Sequence, residues 1–261
     1  AKKEFGKDVQ CVTVSFAGTS ANDEAAAARS IADELGLEHQ VIDSSAHLDH
    51  INAKALVDLF GQPSDLLTLF FIADMARAVS DRFRVALAGS GGDEIFFGYG
   101  KHAFFYRRRF FYNAPYFLRR AAGVMAYPFR GRSGAAAVLS GSVGTKDHER
   151  YIAQMNLGAI GWLRRVDGFR DMAQRLWPES TGAIELDIPK FDLRLAQPSA
   201  RLAAMDIGSM RHSVEIRSPL LSRRIIETVA GFDPRAFVAF GQKSVLRRLA
   251  GRYLSAETIN R

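Results

Sequence analysis

Arg84-Val-Ala-Leu-Ala-Gly-Ser-Gly-Gly-Asp-Glu-Ile-Phe-Phe-Gly-Tyr99 decides how this chain is read. Val85 to Ala88 is a short apolar run that predicts a buried strand. It breaks at Gly89, Gly91 and Gly92, and two carboxylates, Asp93 and Glu94, follow at once. Glycine lets the main chain turn tightly and approach a ligand closely, because no Cβ intervenes. In an open parallel sheet, ligands lie beyond the carboxyl ends of the strands. A carboxylate placed there can hold Mg²⁺ on a phosphate, since that ion prefers oxygen ligands. The plainer alternative is a glycine turn in which Asp93 caps a helix.

Upstream, Val9 to Phe16 is rich in valine and predicts a strand closed by Ala17-Gly18-Thr19-Ser20. Residues 22–36 predict a helix. Asn22 can cap it, Asp23 and Glu24 suit its positive first turn, and Ala28, Ile31, Ala32 and Leu35 recur at helical spacing before Gly36. His39 to Ile42 predicts a second strand, residues 50–60 a helix, and Gly61-Gln-Pro63 a turn. Ser64 can cap the next helix, whose segment from Leu66 to Val79 is apolar nearly all round and therefore expected to be buried.

Strand, helix, strand, helices, strand is the order of parallel crossovers, so the fold class is α/β: a parallel-stranded sheet with helices on both faces. Residues 100–190 carry no strong strand signal, break at 131–134 and 141–144, and predict a largely helical insertion over that sheet. Helices at 199–213, 222–231 and 242–253 follow. The expected organisation is one domain over 1–261. It has an α/β nucleotide-binding part at 1–99, the helical insertion at 100–190 and a helical C-terminal part at 191–261.

A chain of 261 residues, 48% hydrophobic and 24% charged, can bury one sizeable core. Its single cysteine, Cys11, excludes an internal disulfide and fits a reducing cytoplasm. No apolar run reaches the roughly 18 residues of a membrane span, and the start does not read as a signal peptide. A cytoplasmic location without a membrane partner is expected. The net charge of +7 lies largely in Arg107 to Arg109, Arg119, Arg120, Arg130, Arg132, Arg164 and Arg165. Around them stand Phe104, Phe105, Tyr106, Phe110, Phe111 and Tyr112. Basic and aromatic residues together could bind nucleic acid. Amphipathic helices with aromatics in a core and arginines in water are the commoner explanation. No nucleic-acid module is recognisable, so no nucleic-acid partner is expected; the basic face suits ATP, pyrophosphate or an acidic protein.

Residues 84–99 resemble the Ser-Gly-Glu-Gly-x-Asp-Glu-Leu-Phe-x-Gly-Tyr loop in the synthetase domain of the asparagine synthetase family. Asp192-Leu-Arg-Leu-Ala-Gln-Pro198 is similar to that family's Asp-x4-Leu-Pro. Met205-Asp206-Ile-Gly-Ser-Met-Arg-His-Ser-Val-Glu-Ile-Arg-Ser-Pro-Leu-Leu221 is similar to its Asp-x-x-Ser-Met-x-x-Ser-x-Glu-x-Arg-x-Pro-Phe-Leu-Asp. Gln242-Lys243-Ser-Val-Leu-Arg247 resembles its Glu-Lys-x-x-Leu-Arg. The motifs occur in family order and span residues 11 to 261.

The resemblance implies a Rossmann-like fold of the adenine-nucleotide α-hydrolase type, with ATP and Mg²⁺ as cofactors. It implies that ATP adenylates a carboxylate, aspartate in asparagine synthetase itself, and that an amine displaces AMP to leave an amide. The amine is usually ammonia, so an ammonia-supplying glutaminase domain or subunit is the implied partner.

By the same resemblance, Asp93 is the metal-binding aspartate. Lys243 approaches the pyrophosphate and the reacting centre; a solvated surface lysine is its plainer reading. Val14 and Ser15 face the adenine and ribose through their main chain, and Gly89, Gly91 and Gly92 pack against the nucleotide. Glu94 either touches that ligand or supports the loop. Asp23 matches an acidic residue near the nucleotide, or caps its helix. Glu215 and Arg217 fall beside the cleft, where a bidentate pair could fix the loop without meeting substrate. His39 matches a family histidine, with a core histidine as the simpler reading.

The chain departs from the family in three places. The family's pyrophosphate loop, Ser-Gly-Gly-x-Asp-Ser, is expected before Ala1, and Ile259-Asn-Arg261 reads as cut, so the isolated chain is expected to turn over poorly. Ser90 stands where the family has a catalytic glutamate, and Ala88 replaces a serine; a hydroxyl cannot serve as a base at neutral pH as a carboxylate can. Ser222 replaces the aspartate of Pro-Phe-Leu-Asp and can cap the following helix. An amidotransferase or peptide macrocyclase acting on another acid is therefore an alternative, and a non-catalytic nucleotide-binding module a second.

Overall fold

Gln10-Cys-Val-Thr-Val-Ser15 extends because its β-branched side chains suit a pleated surface. It is the first strand of a computed structural model that describes residues 9–15, 24–44, 53–61, 68–144, 146–155, 169–177, 179–194 and 197–259. The first part of the chain runs β1 (Gln10–Ser15), α1 (Ala25–Leu35), β2 (Glu38–Asp43), α2 (Ala53–Phe60), α3 (Thr68–Val79) and β3 (Val85–Leu87). Helices then dominate: α4 (Gly92–Ile95), α5 (Gly100–Arg107), α6 (Arg109–Tyr112), α7 (Tyr116–Ala126), α8 (Gly134–Gly141), α9 (Asp147–Met155), α10 (Phe169–Leu176) and α11 (Ile184–Arg194). The last part is α12 (Ala203–Met210), β4 (Glu215–Arg217), α13 (Arg223–Ala230), α14 (Pro234–Ala239), α15 (Ser244–Ala250) and α16 (Ala256–Ile259).

The chain forms two compact units, one of Ala1–Ser90, Pro198–Ser222 and Val245–Arg261, the other of Gly91–Gln197 and Arg223–Ser244. In the first, β1 and β2 pair in parallel, Gln10 opposite Glu38 through to Ser15 opposite Asp43. The helix between them ends as its sequence predicts. Gly36 takes a φ of 60°, its N–H bonds Asp33 O, and the Leu37 N–H reaches back to Ala32 O, closing a Schellman turn. Asn22 and Asp23 lie outside the described residues, as does Ser64. His39 sits half-buried on β2 with Nε2 3.0 Å from Thr13 Oγ1 across the ladder, while its Nδ1 has no hydrogen-bond partner among the described residues.

β3 pairs in parallel with β4, Val85 opposite Glu215 and Leu87 opposite Arg217. This strand is not buried as expected: Val85 and Leu87 are exposed, and Ala86 alone packs inward. The reason is the two-residue period of a strand, which turns alternate side chains to opposite faces. Nor do the four strands make one sheet; the described residues hold two separate two-stranded sheets. They share a core instead, where Ala76, Val79 and Val214 gather Val12 from β1 and Ala86 from β3. With only three residues each, β3 and β4 satisfy one another and extend no further ladder. Gly208 lets α12 approach α3, since a Cβ there would stand 3.0 Å from Leu69 O.

The second unit is helical, as residues 100–190 predict. Phe105, Tyr112, Trp177, Ile184, Ile188 and Phe191 form its core, with Phe104 and Phe111 packed against it. The expected division of aromatics inward and arginines outward holds for these residues and fails elsewhere. Arg119 is buried, because the carbonyls of Ala114, Ser142 and Gly144 replace its water at 2.9, 2.5 and 3.0 Å. Phe110 is exposed.

In the C-terminal part, the helix expected at 199–213 starts as a π-helical segment, Gln197–Leu202, and ends at Met210. Its last residues give way to the approach to β4, which helical patterning did not foretell. Ser222 stands in extended conformation just before α13.

Candidate functional site

The glycine stretch turns as its composition dictates. Gly91 has φ 90° and forms the N-cap of the single-turn helix α4. Asp93 is therefore not the cap; it lies inside the first turn, free to point its carboxylate elsewhere. It points to Lys243, whose Nζ stands 2.9 Å from Asp93 Oδ1. Both side chains remain partly open to solvent, at 32% and 45% exposure.

Three features bring these two residues together within the second unit. The Phe97 ring stacks on Phe237 at 5.8 Å, and Phe96 meets the same ring edge-on at 6.0 Å. This fastens the end of the glycine turn to α14, whose C-terminus leads directly to Lys243. Gly241, at φ 100°, reverses the chain there. Gly98 then leaves the space the pair needs. A Cβ built on it would fall 2.0 Å from Asp93 Oδ1 and 2.7 Å from Lys243 Cε. Phe97 and Lys243 both adopt φ values near 55° (56° and 55°), a conformation that non-glycine residues seldom accept.

Glu94 faces the other way. Its side chain is buried, with 1% exposure, and accepts a 2.5 Å hydrogen bond from the Tyr99 hydroxyl. Tyr99 precedes α5, where Lys101 and His102 reach a second buried acid, Asp192. Lys101 Nζ lies 2.6 Å from Asp192 Oδ1 and His102 Nε2 2.9 Å from Oδ2. The Tyr151 hydroxyl adds a 3.2 Å bond to Oδ1. Burial alone would raise the Asp192 pKa; the His102 bond and the Lys101 charge outweigh it and hold the carboxyl below its ordinary value.

The remaining candidates belong to the first unit. Val14 and Ser15 close β1, and the Ser15 carbonyl accepts from Ser44 N at 3.1 Å. Beyond Leu87 the chain continues into Gly89, around which a Cβ would meet nothing within 4 Å. Ser90 Oγ donates to Met205 Sδ at 2.8 Å. The two ends of β4 carry Glu215 and Arg217, whose side chains leave the same face and join in a fork, Nε to Oε1 at 2.8 Å and a second guanidinium nitrogen to Oε2 at 3.1 Å. The hydrogen bond and the guanidinium charge pull the Glu215 pKa down, and the carboxylate raises that of Arg217. Gly98, Tyr99 and Phe237 were not among the expected site residues, although Gly98 and Tyr99 lie inside the deciding stretch.

The fold is mixed α/β with parallel strands, and the glycine turn of the second unit holds a carboxylate and an ammonium side by side. The family model described as asparagine synthase matches residues 1–261, and the chain belongs to the asparagine synthase family. Membership supports ATP-dependent amide-bond formation as its general chemistry. No curated protein matches the chain significantly.

Proposed function

We propose that this chain is the synthetase part of an amide-forming ligase in which ATP adenylates a carboxylic acid and ammonia or another amine displaces AMP. The observation that carries this reading is the 2.9 Å contact between Asp93 and Lys243 at the glycine turn. Among the described residues, no three His, Cys, Asp or Glu converge as a protein cage for a metal. A lone, partly exposed carboxylate fits Mg²⁺, which keeps its waters and takes one or two carboxylates beside phosphate oxygens. Asp93 would hold that ion, whose charge eases the departure of pyrophosphate. Lys243 adds a fixed positive charge where negative charge gathers on the leaving group.

In this reading Gly91 and Gly92 approach the nucleotide through their main chain beside Asp93; for Val14, Ser15 and Gly89 that role is what the family resemblance implies. Glu94 keeps the turn in shape through Tyr99, and the Glu215–Arg217 fork fixes its own segment. Ser90 carries the choice of acid. Its hydroxyl is given to Met205 and cannot act as a carboxylate base. This favours an acid other than aspartate, such as a peptide or sugar acid, with ammonia supplied by a glutaminase or the amine by the substrate itself.

Titration calorimetry of Mg·ATP against the full-length protein tests the proposal, followed by acid-dependent release of AMP and pyrophosphate. Asp93→Asn is expected to weaken Mg·ATP at least about tenfold, the loss of one charged ligand contact. Absence of Mg·ATP binding to the unsubstituted protein overturns the reading. Tight binding with no turnover of any acid and amine assigns a non-catalytic nucleotide module instead.

A further inference from the structure

Between Glu94 and Asp147 the sequence contains no acidic residue, yet it contains Arg107, Arg108, Arg109, Arg120, Arg130 and Arg132. The structure of this stretch is inverted relative to an ordinary surface helix. The inward side of α7 is made by Arg119, Gly123 and Ala126. Gly123 comes so near α8 that a Cβ would lie 2.8 Å from Leu139 O. The large apolar side chains stand on the opposite side: Phe117 is 68% exposed and Met125 72%, with Leu118 and Val124 also exposed. Positions 117, 121, 124 and 125 follow the i, i+4, i+7, i+8 rule, so they form one stripe. Tyr127 and Phe129, in the 3₁₀ turn that follows, and Phe110, 80% exposed, add aromatic surface to the same unit. An exposed apolar stripe of this kind marks an interaction surface.

We propose that this face binds an anionic lipid surface peripherally. Three observations select that occupant. The face is cationic without a single carboxylate in its stretch of sequence, so it complements negative headgroups and repels a second copy of itself. Its apolar side chains project into solvent, which suits a soft interface that needs no preformed pocket. In the same stretch of chain arginines lie against aromatic rings, Arg130 4.0 Å from the Tyr127 ring centre and Arg109 4.5 Å from that of Phe110. Apolar bodies with cationic and aromatic rims are the pattern of helices lying in the headgroup plane. No described helix is long and apolar enough to cross a membrane, and the contact inferred here lies on the surface. It is independent of the amide-forming reading.

Co-sedimentation of the full chain with vesicles tests the inference, using phosphatidylcholine alone and with about 30% phosphatidylserine. Binding is expected only to the anionic vesicles, and to fall at high salt. Phe117→Glu with Met125→Glu should reduce it about tenfold or more, as should Arg120→Gln with Arg130→Gln. All four residues are exposed, so the fold survives; circular dichroism checks that. Equal sedimentation with both lipids, no binding, or binding that ignores both double substitutions overturns the inference. So does a concentration-dependent dimer abolished by the Phe117 and Met125 changes, which would give the face to a second copy. Capture of polyglutamate without any of vesicles would give it to an acidic polypeptide.

Discussion

Asp93 and Lys243 meet across 2.9 Å because Gly98 has no side chain to stand between them. The pair contributes little to stability by itself: ion pairs this exposed are worth about 0–1 kcal/mol. Its surroundings are costly by comparison. Two neighbouring residues, Phe97 and Lys243, hold left-handed conformations that cost about 1 kcal/mol or more each. Strain of that kind persists where the surrounding structure over-determines it, here through the Phe97–Phe237 stack. The proposed binding of Mg·ATP would use a charge pair fixed in this way.

Gly98→Ala tests this arrangement at its narrowest point. The new methyl would overlap the Asp93 carboxylate and the Lys243 stem, so one of them must leave. The atoms displaced belong to two partly exposed side chains, so a small loss of stability, about 1 kcal/mol or less, is expected. Urea unfolding measures it, and the same variant should lose Mg·ATP affinity in calorimetry. An unchanged affinity would show that the ligand does not need the pair.

Asp93→Asn and Lys243→Gln, made singly and together, separate two possibilities. If both groups serve one bound triphosphate, their effects on Mg·ATP affinity are coupled and the double variant loses less than the sum. Additive losses would mean that the 2.9 Å contact is incidental to binding. Thermal melting should hardly move in any of the three, because the pair is partly solvated.

Phe237 anchors the segment that leads to Lys243. It is buried, stacks on Phe97, meets Phe96 edge-on, and its carbonyl accepts from Ser244 Oγ at 3.2 Å. Phe237→Ala should cost about 3–5 kcal/mol. Phe237→Leu should keep most of the stability yet weaken Mg·ATP, since a branched aliphatic fills volume without stacking on a ring. Stability and affinity that recover together in the leucine variant would reduce Phe237 to a core residue.

The sequence made much of this legible. Periodicity placed α1, its glycine stop at Gly36 and the helical run after Gly100, because helical spacing and left-handed caps are local properties. The glycine turn and its carboxylates were equally visible. What local pattern could not show was pairing. β4 holds three residues in the gap between the helices expected at 199–213 and 222–231, and it exists because β3 lies alongside. The exposure of Val85 and Leu87 likewise follows from strand alternation in a two-stranded ladder. Arg119 reads as a solvated arginine until the chain supplies three carbonyls around it. Gly98, Tyr99 and Phe237 escaped notice because their roles depend on segments that meet only in three dimensions.

Asp192 offers a pH-dependent prediction. Its carboxylate is buried between Lys101, His102 and Tyr151, and its pKa is lowered in the fold. A group whose folded pKa is depressed contributes stability above its unfolded value, near 3.9, and loses it as pH falls through the folded value. Asp192→Asn should therefore destabilise the protein by about 3 kcal/mol at neutral pH, the order expected when a buried pair loses one charge. Lys101 is partly exposed and can turn to water, which tempers the loss. The gap between the two proteins should begin to narrow as pH drops below about 4, where the unfolded carboxyl takes up its proton, and close only below the lower folded value. Urea titrations at pH 7, 5 and 3.5, roughly spanning that range, measure the gap. A difference that stays constant across them would mean that shape and hydrogen bonding hold the cluster, and not the Asp192 charge.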